Sequence, residues 1–544
     1  MRKLSYYLNG WTILSVIIVL SLLSPMLPII GGLLAPSSEN WEHIKEYMLQ
    51  DYMKTSFLLV FYTAVGTIVI GTSLAWLIAQ YEFPLSRFYK WALILPLSIP
   101  PFIAAYTYSG MMSYTGVIQT TLRNVFNMPV NQKFFDIMNI PGAIFIYTMF
   151  LFPYVYTITR VFLTQQAASL VESAKLLGKG PWAIFFKVVL PISRAAIIGG
   201  VSLVSLEVLN DYGVVKYYGI QTFSTAIFQT WFGLGDIDAA IKLAASLMTF
   251  VVLMLVVEKL LRGTKQFSYS NTKVNPLPKV RLTGFRKWGA FGYVTLIFCL
   301  AFLIPVIQLI DWFVLTWGAI PNDEFTTYIR NSMLVAGIAS VVIIAGSLIV
   351  GNFQRFAKGR IGKVLPKFTI VGYSIPGAVI AVAIVTMFIW LDRQLGSLYS
   401  AWGLDSTLVL STSVVMLVVA YIVRFFAIGY NAIESGYDKI GVNFSLASRM
   451  LGASVTKTFF KVDIPLLKGA IISGLMLVFV DIMKEIPLTL ILRPFNFETL
   501  ATKAFQYAGD EKIMQASQPS LIIIAMSALA IFIFYRLLDK EDAK

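Results

Sequence analysis

Four carboxylates set in otherwise apolar sequence are the residues best suited to chemistry in this chain. Glu207 and Asp211 lie in one apolar run, and Asp481 and Glu485 lie in another. Each pair is spaced i, i+4, which in a continuous helix places both side chains on one face. Oxygen donors of this kind suit a hard cation better than a thiol does. Tyr212, Tyr217 and Tyr218 add phenol oxygens nearby. A plainer reading pairs the acids with Lys216 and Lys484, or leaves them at a hydrated rim. Other reactive groups are scarce. His43, in a polar stretch, is the single histidine, and Cys299, in an apolar run, the single cysteine. An intrachain disulfide, a metal site built on His or Cys clusters, and Ser-His or Cys-His catalysis with a membrane-buried base are thereby excluded. There is no G-x-x-x-x-G-K-[ST] phosphate loop, since Gly359–Lys363 has Gly and Lys at the wrong spacing.

The elements that must carry these residues are membrane helices. Of 544 residues, 57% are hydrophobic and 13% charged, with a mean hydropathy of +0.75. Soluble proteins carry about 25% charged residues, so an ordinary soluble enzyme is ruled out. Helices of about 20 apolar residues cross a bilayer, and twelve such runs occur. The first six are Trp11–Leu34, Thr55–Ala79, Trp91–Met112, Pro141–Val161, Ala195–Val215 and Ala239–Leu261. The second six are Trp288–Leu315, Ser332–Phe353, Phe368–Leu391, Thr407–Gly429, Gly469–Leu492 and Pro519–Leu538.

Charge orients them. Arg262–Lys287 has seven basic residues and no acidic ones, and Gln354–Lys367 has five and none. Pro36–Lys54, on the alternate side, holds Glu39, Glu42, Glu46 and Asp51 against Lys45 and Lys54. Basic loops stay in the cytoplasm, so both termini are expected there. The net charge of +15 fits anionic lipid rather than nucleic acid. The first span follows Met1-Arg2-Lys3, is long, lacks a small-residue cleavage site, and reads as retained.

The chain repeats itself. Leu177-Gly178, Phe185-Phe186-Lys187 and Pro191 recur as Leu451-Gly452, Phe459-Phe460-Lys461 and Pro465, displaced by 274 residues (177 to 451). Ser98-Ile99-Pro100 recurs at Ser374-Ile375-Pro376, and Phe228-Gln229 at Phe505-Gln506. With six spans per copy, the duplication is parallel, and the copies are expected to pack about an axis along the membrane normal with a pathway between them. The division expected is 1–52 (first helix and outer loop), 53–262 (first repeat), 263–328 (linker with Pro276 and Pro278, and seventh helix), 329–538 (second repeat) and 539–544 (tail). Pro96, Pro100, Pro101 and Pro376 mark either a broken helix lining the route or packed kinks, the latter being the plainer reading.

Each copy also carries a helix, a glycine, a second helix and a proline between its fourth and fifth spans. Gln165–Gly178 reads as an amphipathic helix with small residues Ala167, Ala168 and Ala174, broken at Gly180-Pro181 and followed by Trp182–Leu190. An interfacial helix on lipid is one reading. A helix seated in a groove on another protein explains the small residues and the turn better.

Glu172-Ser173-Ala174, Gly178 and Val188-x-Leu190-Pro191 resemble the EAA motif of ABC importer permeases. In that family the motif forms the helix that docks into the ATPase. The second copy keeps Ala447, Ser448, Gly452, Val462, Ile464 and Pro465 but has Leu446 in place of the acid, so the resemblance implies unequal salt bridging by the two loops. Leu206–Gly213, Tyr218–Thr225, Asp481–Pro487 and Leu492–Ala501 further resemble fused, two-copy permeases for ferric iron. Relatives of that kind for thiamine, phosphonate and polyamine keep other cargoes open.

The resemblance implies an all-α polytopic fold of two six-helix parallel repeats in a bacterial inner membrane. It implies coupling through Glu172, Ala174, Gly178, Pro191, Ala447, Ser448, Gly452 and Pro465. It also implies two ATP-binding cassette subunits, a homodimer in the simplest case, holding ATP and Mg, and an extracytoplasmic solute-binding protein. The chain itself is expected to hold no cofactor and no firmly bound metal, and to catalyse nothing. The acids Glu207, Asp211, Asp481 and Glu485 are expected to line the route. An ion-coupled secondary transporter is the rival of different class, sharing the duplication but not requiring the paired loops. An intramembrane enzyme lacks a paired nucleophile and base.

Overall fold

In the computed structural model, the residues described are 10–34, 36–166, 168–262, 279–357, 362, 364–403 and 408–542. Among them, eight helices are long and apolar enough to cross a membrane, and four bent helix pairs bring the number to twelve. The bent pairs are Gly10–Leu23 with Met26–Gly32, Ser86–Ser98 with Pro101–Asn124, Pro181–Ile192 with Arg194–Asn210, and Val455–Leu466 with Lys468–Met483. Most of the linker 262–287, Gly359–Lys363 apart from Gly362, Ala167, Met1-Arg2-Lys3 and the last two residues of the tail lie outside the described residues.

The two repeats are built alike. In the first, Leu49–Gln80, Ile140–Gln166 and Arg194–Asn210 pack mutually; in the second, Asn322–Phe356, Val414–Ile440 and Lys468–Met483 do the same. Tyr106, Tyr147, Tyr156, Tyr421 and Tyr430 are the largest fully buried side chains. A buried phenol requires a hydrogen-bond partner, and each has one: Ser520, Asp211, the Lys90 carbonyl, Thr489 and Gln354 respectively.

The first helix of each copy leaves its own repeat. Gly10–Leu23 packs on Asn322–Phe356 and on the 3-10 segment Leu365–Ser374 of the second repeat. Its counterpart, beginning at Gly284, is hydrogen-bonded to the first: Tyr293 to Ser73 at 2.8 Å, Thr295 to Tyr89 at 2.8 Å, and the Leu300 carbonyl to Tyr108. Ile237–Arg262 likewise packs on Gly377–Ala401, and Ile513–Asp542 on Leu95–Ser98 and Pro101–Met112. Short strands Tyr81–Glu82 and Val280–Arg281 pair in parallel where the first repeat meets the chain entering the seventh span.

Three sequence-derived helices end elsewhere. The tenth span runs Val414–Ile440 rather than Thr407–Gly429. Its start is set by Asp392, which accepts hydrogen bonds from the backbone N–H groups of Leu410 and Ser411 and so holds that segment out of the helix. The fifth and eleventh spans stop at Asn210 and Met483, not at Val215 and Leu492. In the first, Gly213 sits so close to Phe102 that an added Cβ would lie 2.6 Å from the Phe102 Cβ. In the second, Pro487, which has no N–H to bond back into the preceding turn, starts a new short helix.

Candidate functional site

Where the fifth and eleventh spans stop, the repeats enclose a cavity of about 80 Å³. Glu207, Asp211, Asp481 and Glu485 all line it, joined by Asn210, Tyr373, Arg424 and Lys484. The four acids are thus brought together, but not as two helical faces. Glu207 and Asp481 are the helical members. Asp211 is extended, with ψ 136°, and its Oδ2 accepts the Val214 N–H at 2.8 Å, at the start of Gly213–Tyr217. Glu485 does the same for Leu488 at 3.3 Å, at the start of Pro487–Leu492. The spacing misled because each second acid serves the orphan N–H groups of a new helix rather than the face of the old one.

The partners differ between the repeats. Lys484 Nζ lies 2.7 Å from Asp481, as the plainer sequence reading expected. Arg424, only 4% exposed, lies 3.5 Å from Glu485 and donates from Nη1 to the Ile375 carbonyl at 3.0 Å. Lys216 is exposed and makes no ion pair with the acids among the described residues. Glu207 instead accepts from Tyr373 at 3.2 Å, across the repeat boundary, and Asp211 from Tyr147 at 2.7 Å. Asn210 also crosses, accepting the Gly377 N–H. Of the three tyrosines expected nearby, none meets the acids. Tyr212 stacks on Phe228 at 3.8 Å, Tyr217 neighbours Tyr218, and Tyr218 donates to the Ala105 carbonyl.

Pro100 and Pro101 line the cavity, and Pro376 starts Gly377–Ala401 beside it. These prolines end 3-10 segments and begin helices, so they shape the wall rather than kink a continuous span. Arg424 was the residue that sequence reasoning missed, although a lone arginine within an apolar span is itself a signal. Tyr147 and Tyr373 carry no such signal, since their roles depend on packing between distant segments.

The loops at the other end of the spans are matched in detail. Ala168–Leu176 ends with Lys179 N–H bonded to the Ala174 carbonyl and Gly178 N–H to that of Lys175. Asn443–Met450 ends with Ala453 bonded to Ser448 and Gly452 to Arg449. This is the Schellman cap, which needs a left-handed residue after the helix, and Gly178 and Gly452 supply it at φ +71° and +85°. The following helices open at Pro181 and Val455 and widen to a π turn at Phe185–Val189 and Phe459–Asp463, just before Pro191 and Pro465. Proline collides with the carbonyl four residues back, which the wider turn relieves.

Glu172 and Ala447 are exposed, Ala174 is buried, and Ser448 is hydrogen-bonded to Thr458 at 3.0 Å. Beside them stand apolar side chains that the motif did not single out: Leu176 at 88% exposure and Met450 and Leu451 at 89%.

Duplication, the crossed helices and the shared cavity define the membrane-spanning part of a type I ABC importer, in fused two-copy form. The chain belongs to the family described as binding-protein-dependent transport system inner membrane component, whose model matches residues 41–262 and 343–541. It is therefore a multi-pass inner-membrane permease of the binding-protein-dependent type. Over 490 residues, 89% of each chain, it is 24% identical to the Fe(3+)-transport system permease protein FbpB 2 of Haemophilus influenzae. It is 21% identical over 510 residues to the ferric transport system permease protein FbpB of Actinobacillus pleuropneumoniae, covering 89% of this chain and 71% of that one. A shorter match, 26% over 201 residues, covers 37% of this chain and 70% of the sulfate transport system permease protein CysT of Escherichia coli.

Proposed function

We propose that this chain is the permease of an ATP-driven ferric-iron importer, with both termini in the cytoplasm. It conducts cargo between its repeats and performs no covalent chemistry. ATP and Mg are held by two ATPase subunits, a homodimer in the simplest case, one seated on each helix–glycine–helix loop. A separate solute-binding protein delivers iron from outside. Glu172, Ala174, Gly178 and Pro191, with Ala447, Ser448, Gly452 and Pro465, form the coupling elements. Their glycines fix the angle at which each docking helix leaves its span, so ATPase closure moves the spans that carry Glu207 and Asp481. Coupling then rests on the different affinities of the two conformations for ATP and for the loaded binding protein.

The cavity is the observation that supports a cation. It holds four carboxyl groups against two basic side chains, the wrong balance for a tetrahedral oxyanion such as the cargo of the shorter-matching relative. A small volume in which each acid already has a partner within the protein suits passage rather than tight retention. The test is uptake into proteoliposomes containing the permease, its ATPase subunits and its binding protein. Radiolabelled ferric iron is expected to accumulate with ATP, and sulfate not. Sulfate accumulation without iron would overturn the assignment.

A further inference from the structure

The two repeats place different groups at equivalent positions around the cavity. By the displacement of 274, Arg424 corresponds to Phe150 and Lys484 to Asn210. Both cations therefore belong to the second repeat, and each is engaged by an acid of that repeat: Asp481 at 2.7 Å and Glu485 at 3.5 Å. Glu207 and Asp211 of the first repeat have no cation within 4 Å among the described residues and are held by neutral donors, Tyr373, Tyr147 and the Val214 N–H. Phenols orient a carboxylate without cancelling its charge, whereas an ion pair in a low dielectric largely does.

We infer that the cavity is one-sided: Glu207 and Asp211 form the wall that meets a trivalent cation, while Lys484 and Arg424 are positioning residues that hold Asp481 and Glu485. This rests on the ferric-iron reading and deepens it. Arg424 illustrates the second role. It ties Glu485, 3.5 Å from its Nε, to the turn at Ile375, whose carbonyl accepts from its Nη1. Gly377, beside that turn, would bring a Cβ within 3.0 Å of the Glu485 carboxylate and 3.1 Å of Asn210. The second wall is therefore packed around its ion pairs, and the first is hydrogen-bonded to neutral donors.

Charge-neutral repair distinguishes the roles. Removing one member of a buried pair strands the other, whereas removing both leaves little penalty. D481N is thus expected to lower ATP-driven iron uptake and D481N/K484Q to recover most of it. E207Q/D211N is expected to lower uptake by at least about tenfold, and adding K484Q is not expected to restore it. Terbium, a hard trivalent probe, gives a readout independent of cargo. Tyrosine-sensitised terbium emission from the purified full chain is expected to fall in E207Q/D211N and persist in D481N/K484Q. If E207Q/D211N keeps wild-type uptake and emission, or if D481N/K484Q is no better than D481N, the one-sided cavity is wrong. If wild-type vesicles take up no iron while the terbium pattern holds, the cargo is wrong and the wall stands.

Discussion

At the scale of single residues, the duplication serves as an internal control. Val171 and Val189 are fully buried in the first loop, and their counterparts in the second are Ser445 and Asp463, joined by a 2.6 Å hydrogen bond. One repeat fills this site with apolar volume and the other with a polar pair, and both keep the same backbone. S445A leaves a buried carboxylate short of a donor and is expected to destabilise the protein by about 1–3 kcal/mol. S445V/D463V, which reproduces the first repeat, is expected to melt close to wild type. Thermal unfolding in detergent, followed by intrinsic fluorescence, checks the pair; a double variant less stable than S445A would contradict it. Within the cavity, Tyr373→Phe removes the bond that crosses to Glu207 and is expected to reduce iron uptake while leaving assembly with the ATPases intact, as measured by co-purification.

Elements carry the next level of argument. The glycine caps were legible in the sequence because a left-handed turn after a helix favours glycine strongly. Among the described residues, no atom beyond the chain neighbours lies within 4 Å of a Cβ built at Gly178 or Gly452, so alanine there tests conformation without a clash. A left-handed alanine costs about 1–2 kcal/mol. G178A/G452A is accordingly expected to fold and insert, yet to hydrolyse ATP with little uptake. Parallel ATPase and transport assays decide this, and normal coupling would show that the loop angle is immaterial. The helix break at Asp211 was not legible, whereas Pro487 marks the one that follows Met483. Apolar sequence continues past Asp211, and at the break Asp211 accepts the Val214 N–H while Phe102, from another segment, lies close against Gly213.

The whole molecule is interlocked. Trp11 of the first helix donates to Thr456 at 3.3 Å and packs its ring on Phe459 at 4.6 Å, both in the second loop. Trp182, the counterpart of Thr456, has no such tie among the described residues and is 76% exposed. W11A is therefore expected to weaken transport through the second loop alone, so that combining it with G178A is worse than either change, as uptake rates would show. Because each repeat's first helix is seated on the other repeat, fragments 1–262 and 279–544 are expected to assemble when co-expressed. Co-purification through a tag on one fragment checks this, and recovery of the tagged fragment alone would argue that the linker is required for assembly.

Membrane residence, the parallel duplication and the paired glycine-capped loops were determined by the sequence itself. Each depends on local composition or on a fixed displacement, which survive without knowledge of the fold. The sequence also singled out the four acids, because a charge in an apolar run is costly wherever it lies. Which acid meets a cation and which meets an arginine was decided by tertiary structure alone. Glu207 and Tyr373 are 166 residues apart, and Arg424 reaches Glu485 from a different span. Pairings of that kind arise from how two similar but unequal repeats close on each other, and no periodicity along the chain encodes them.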